Sequence, residues 1–138
     1  MYQKLTIVGN LGRDPEMRYL PSGQAVTNLN VATNRVYTKD NEKVTETTWF
    51  RVSVWGNQGE NANKYLKQGS KVLIEGRLNS DESGNPRTYT RNDGTTGASF
   101  EMTAQQVVYL SSRGDVVGNA GDEPFSLPSV EDADDIPF

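Results

Sequence analysis

Trp49, Arg51, Ser53 and Trp55 occupy one parity of a seven-residue run, and Phe50, Val52 and Val54 occupy the other. In a strand the two parities lie on opposite faces, so the apolar set supplies a core face and sends two tryptophans and an arginine outwards. Outward strand positions are ordinarily polar, and large aromatics there need a ligand, a covering loop or a subunit contact to explain them. Two other segments repeat the pairing of basic with aromatic side chains, namely Arg35 with Tyr37, and Arg87 and Arg91 around Tyr89. Every nucleobase has a π-face, so aromatics interleaved with Arg or Lys can hold an unpaired strand by stacking, at about 1–3 kcal/mol per base and without reading sequence. Solvated surface accounts for any one of these pairs, and their recurrence on three segments favours a stacking platform.

Much other chemistry is excluded by residue type. The chain has no cysteine and no histidine, which removes disulfides, thiolate nucleophiles, imidazole triads and Cys/His zinc sites. The remaining enzymatic route is a nuclease that holds magnesium on Asp and Glu. The acids before residue 114 are scattered over predicted loops without a paired-carboxylate motif. A non-enzymatic protein without cofactor or metal is therefore expected.

These residues must be positioned by a modest fold. The 138 residues (15.3 kDa) suit one domain with a short appendage, and 34% hydrophobic residues allow a modest core. The formal charge of -4 is unevenly spread, because every Lys and Arg lies at or before Arg113. Residues 1–113 carry +3, whereas 114–138 carry seven acids and no base. That acidic stretch, with Gly, Pro and Ser between its acids and no apolar period, is expected to be disordered. Leu5, Ile7 and Leu11 mark a first strand that ends at the turn signal Gly12-Arg13-Asp14-Pro15. A short strand at 17–20 turns at Pro21-Ser22-Gly23 into a long strand at 24–37, whose imperfect alternation predicts a bulge. Residues 38–46 read as a protruding hairpin loop. The sole helix candidate is 57–68, with Gly69 as its C-cap residue. A strand at 72–78, a polar hairpin at 79–97 and a last strand at 98–110, with Phe100, Met102 and Ala104 inward, complete the pass. Five or so strands with one helix between the third and fourth is the element order of the OB-fold, a five-stranded Greek-key barrel in the all-β class, with a small sandwich as the alternative.

The segments KLTIVGNLGRDPEMRYLPSGQAVTNLNVAT (4–33), TTWFRVSVWG (47–56), NKYLKQGSKVLIEGRL (63–78) and the closing DADDIPF resemble bacterial single-stranded DNA-binding proteins of the homotetrameric type, over nearly the whole chain. The resemblance implies base stacking by Tyr37, Trp49, Trp55 and Tyr89, with tyrosines at 37 and 89 where relatives often carry tryptophan. Arg35, Arg51, Arg77, Arg87 and Arg91 are the candidates for phosphate contacts or support of stacked bases. It further implies an OB domain at 1–113 that binds DNA and forms a homotetramer, and a linker at 114–133. In the tip at 134–138, Asp134, Asp135, Ile136, Pro137 and Phe138 would dock replication, recombination and repair enzymes. Bacterial cytoplasm, in association with the nucleoid, is the expected location, since no run of 18 apolar residues or transit-like leader is seen. An OB-fold interaction scaffold or an oligosaccharide binder fits the fold equally well, yet has no use for the DDIPF end or the repeated arginine–aromatic pairs.

Overall fold

The apolar parities set out above close on one another in the structure, a computed structural model that describes residues 1–111. The linker at 114–133 and the tip at 134–138 lie outside the described residues. Seven strands, β1 (Leu5–Leu11), β2 (Glu16–Tyr19), β3 (Ala25–Lys39), β4 (Glu42–Trp55), β5 (Lys71–Leu78), β6 (Arg87–Thr90) and β7 (Thr96–Tyr109), accompany one helix, α1 (Gly56–Tyr65). Strands β1, β5, β7, β4 and β3 pair in that order, and β3 pairs back to β1 through Leu11 and Val31, which closes a five-stranded barrel. β4 runs parallel to β7 and the other barrel pairs are antiparallel. With α1 between the third and fourth barrel strands, this is the expected OB-fold. Ile7, Leu11, Leu29, Val31, Val52, Val54, Val72, Ile74 and Met102 fill the interior, and Ala62 and Leu66 plug one end.

Four local expectations are corrected. The helix ends at Tyr65, three residues early, because Leu66 is extended and turns its side chain into the core. Gly69, with φ at 90°, instead serves the tight turn Lys67–Ser70, where the Ser70 amide donates to the Lys67 carbonyl at 3.0 Å. Residues 38–46 form the expected protruding hairpin, but its arms are strand rather than loop. β3 and β4 continue as a long ribbon to a two-residue turn at Asp40 and Asn41, both left-handed (φ 52° and 61°), a conformation these two residue types tolerate and a hairpin's twist favours.

The bulge predicted within 24–37 is absent from the β3–β4 register, which runs unbroken from Val26 opposite Trp55 to Lys39 opposite Glu42. The irregularity lies instead between Glu75 and Gly76 of β5. At 25–27 alternation is lost because α1 and β2 both pack on β3, so Ala25, Val26 and Thr27 are all buried. Thr27 there donates its hydroxyl to the Gly59 carbonyl at 2.6 Å. Finally, Met102 is buried and Ala104 packs against the core, but Phe100 is 59% exposed. Its ring meets that of Phe50 with centroids 5.7 Å apart.

Candidate nucleic-acid interface

Strand pairing fixes which side chains share the outer face. Across β2, β3 and β4, Arg18, Val26 and Trp55 form one row, and Asn28, Ser53 and Thr103 form the next across β3, β4 and β7. Asn30, Arg51 and Glu101 follow, and then Ala32 with Trp49. The chain leaves this sheet through Gly56, whose φ of 67° turns Trp55 directly into α1. Trp49 is 53% and Trp55 40% exposed, enough open ring for each to stack on a ligand. Polar contacts hold the floor between them, with the Ser53 hydroxyl donating to Asn28 Oδ1 at 3.3 Å and the Thr103 hydroxyl to Asn79 Oδ1 at 2.8 Å.

The second hairpin arches over this face. β6 pairs with β7, Arg87 opposite Ser99 and Tyr89 opposite Gly97, which puts Arg87 and Tyr89 on the same side as Arg51. Between hairpin and sheet runs a groove of about 740 Å³, with Arg18, Arg51, Trp55 and Glu101 from the sheet and Asp81, Glu82 and Arg87 from the hairpin. The Asp81 carboxylate accepts the amides of Ser83 and Asn85 at 2.9 and 2.8 Å, which shapes the first turn of the arm. In the second turn the hydroxyl and amide of Thr95 hold the Asp93 carboxyl below its ordinary range.

The predicted site residues are brought together only in part. Trp49, Arg51, Trp55, Arg87 and Tyr89 share the outer face. Arg91 lies beside them but is engaged, donating to the Thr96 carbonyl at 3.0 Å and the Thr95 hydroxyl at 3.3 Å, with its guanidinium 5.5 Å from the centre of the Tyr89 ring. Tyr89 in turn lies across Gly97, where a β-carbon would stand 2.6 Å from the ring. Arg35 and Tyr37 stand on the ribbon beyond the barrel, three and five positions from Trp49's partner Ala32 and so on the opposite strand parity. Arg35 lies 4.7 Å over the Tyr37 ring and 3.5 Å from Glu46. Arg77 is exposed on β5 opposite Thr103 and does not line the groove. Sequence reasoning missed Arg18. Its signal was faint, the alternation of Glu16 and Arg18 on a four-residue strand whose pairing partner no local pattern reveals.

Fold and site together define an OB-fold barrel with an open aromatic and basic sheet face. The chain belongs to the single-strand binding protein family, whose model matches residues 2–110. It is 40% identical over 127 residues to the single-stranded DNA-binding protein of Wolinella succinogenes, covering 91% of this chain and 75% of that protein. The protein of the same name from Helicobacter hepaticus is 46% identical over 114 residues (82% of this chain, 64% of its own length). That of Neisseria meningitidis serogroup A is 35% identical over 123 residues (88% and 66%). The chain thus spans about two thirds of the length of the latter two.

Trp49 owes its position to a missing side chain. Its ring lies directly on Gly12, where a β-carbon would collide with the indole, and the backbone of Gly12 is in a region that alanine also adopts. In a Trp55→Phe background, Gly12→Ala should swing the indole outwards without unfolding the barrel. The expected readout is red-shifted Trp49 emission and stronger acrylamide quenching with an unaltered far-UV circular dichroism spectrum, and unchanged emission contradicts this packing.

Proposed function

We propose that this chain binds single-stranded DNA, without regard to sequence, on the outer face of β3, β4 and β7 beneath the second hairpin. The observation that carries the reading is the pair of half-exposed tryptophans flanking Arg51 on a face whose opposite side is the closed core. Trp49, Trp55 and Tyr89 stack bases, and Tyr37 takes a base on the projecting ribbon. Arg18, Arg51 and Arg87 meet phosphates in the groove, and Arg35 and Arg77 do so outside it. Arg91, committed to the hairpin, supports Tyr89 in its stacking position. An OB-fold covers roughly 4–16 nucleotides, so the working unit is a homotetramer in which several copies share one strand and gain affinity by linkage.

Asp134, Asp135, Ile136, Pro137 and Phe138 recruit replication, recombination and repair enzymes, offering an apolar group beside carboxylates to a basic-rimmed pocket. By its charge the acidic segment also competes weakly with DNA for the groove. Removing residues 134–138 should abolish capture of such enzymes and leave DNA affinity equal or greater. Weaker DNA binding by the truncated chain contradicts that role.

Titration with a dT oligomer, against an equal-length duplex, tests the main reading. The single strand alone should quench tryptophan emission stoichiometrically. The slope of log affinity against log salt should be about -0.7 per phosphate neutralised, and Arg51→Ala should make it shallower by about that increment. Absence of binding at every salt concentration would sink the proposal and favour an interaction scaffold.

A further inference from the structure

The second hairpin has to order itself. All four residues of β6 are exposed, and neither β6 nor the turn that follows it contributes to the barrel core. The arm's shape therefore rests on its own bonds, and these converge on Arg91 and Tyr89. The turn is specified locally: the Gly94 amide donates to the Arg91 carbonyl at 3.0 Å, the Arg91 amide donates to the Thr95 carbonyl at 2.8 Å, and Gly94 takes the positive φ (87°) that closes such a hairpin loop.

Asp93 stands within that turn. Its Oδ1 accepts the Thr95 amide at 2.9 Å and the Thr95 hydroxyl at 2.6 Å. A hydroxyl has one hydrogen, so the Thr95 oxygen, having given its own to Asp93, can only accept from Arg91 Nη1, 3.3 Å away. Its bond to an ionised carboxylate makes it the better acceptor. The Thr96 carbonyl holds the same Arg91 nitrogen from a second side at 3.0 Å. The guanidinium so fixed lies 5.5 Å from the centre of the Tyr89 ring, and both side chains crowd the space over Gly97, where a β-carbon would stand 2.6 Å from the ring and 2.9 Å from Arg91 Nη2. Asp93 thus reaches Arg91 through Thr95 and does not pair with it; among the described residues no carboxylate forms an ion pair with Arg91. The hydrogens on Arg91 Nε and Nη2 remain for a phosphate, beside a ring that is 48% exposed.

We infer that Asp93 is a positioning residue for single-stranded DNA: through Thr95 it fixes Arg91 against Tyr89, so that the arm meets the strand with a base contact on Tyr89 and a phosphate contact on Arg91 already in place, while Asp93 itself touches neither. This deepens the reading proposed above and rests on it. Side chains ordered beforehand lose less freedom on binding, an advantage of about 2- to 10-fold in affinity for each rotamer-rich side chain.

Charge and positioning predict opposite signs. Removing an anion from beside a polyanion should strengthen binding by charge alone, whereas losing the relay should weaken it. Titration of the full chain with a dT oligomer reads the difference. Asp93→Ala should bind about 2- to 10-fold more weakly than the wild type. Asp93→Asn, which keeps the acceptor oxygen and discards the charge, should restore binding. Thr95→Val, a milder change, should weaken binding likewise, and Thr95→Ser should restore it. In a background carrying both Tyr89→Ala and Arg91→Ala, Asp93→Ala should cause no further loss. Binding at or above the wild-type affinity by Asp93→Ala or by Thr95→Val overturns the inference and leaves the platform standing. A further loss in the double background also overturns it, since Asp93 would then act on the hairpin at large. Failure of the wild type to bind is a distinct result, which overturns the proposed function and this inference with it.

Discussion

β4 is hydrogen-bonded on both sides, antiparallel to β3 and parallel to β7, and this double pairing is the constraint from which the surface chemistry follows. A slip of one residue would send Val52 and Val54, both fully buried, into water and bring Arg51 and Ser53 into the core. Burying an unpaired guanidinium costs several kcal/mol, far more than any local gain could offset, so the register is fixed by the interior. The outward stance of Trp49 and Trp55 is therefore no accident of rotamer. It is imposed by the same alternation that fills the barrel, and it persists whether or not a ligand is present.

The electrostatics of the groove are more balanced than the domain's +3 suggests. Arg18, Arg51 and Arg87 share it with Asp81, Glu82 and Glu101. Asp81 is occupied by two backbone amides of its own turn, and Glu101 accepts the Ser99 hydroxyl at 3.1 Å. These bonds hold two carboxylates in place. A strand in this groove meets fixed cations among fixed anions, an arrangement that limits attraction by charge alone. On the function proposed here, stacking and the linkage of several copies on one strand supply much of the affinity.

What the sequence revealed depended on whether the governing interaction was local. The β4 alternation and the Val72 to Leu78 strand were legible because a period of two records burial directly, and the element order followed from them. The end of α1 was not, since Leu66 leaves the helix to fill a core made by distant strands, while Lys64 to Gln68 alone favour continuation. The ribbon end was read as a hairpin loop, and its arms were not read as strand because their residues are polar, although Asp40 and Asn41 are what a two-residue hairpin turn requires. Phe100 shares the core parity of Met102 but lies past the point where neighbouring strands cover the interior. Among the site residues, Trp49, Arg51 and Trp55 were found by pattern. The commitment of Arg91 to Thr95 and Thr96, and the separate face of Arg35 and Tyr37, depend on the turn geometry and on strand pairing.

The central claim is that the outer face of β3, β4 and β7 is the surface that meets bases. Photo-cross-linking with a dT oligomer carrying 5-iodouracil, followed by peptide mapping, locates the contact by residue. The account predicts adducts on Trp49, Trp55 and Tyr89, suppressed by excess unlabelled single strand and not by duplex. Adducts confined to the outward residues of β1 and β5, with none on the peptides containing Trp49 and Trp55, would contradict it.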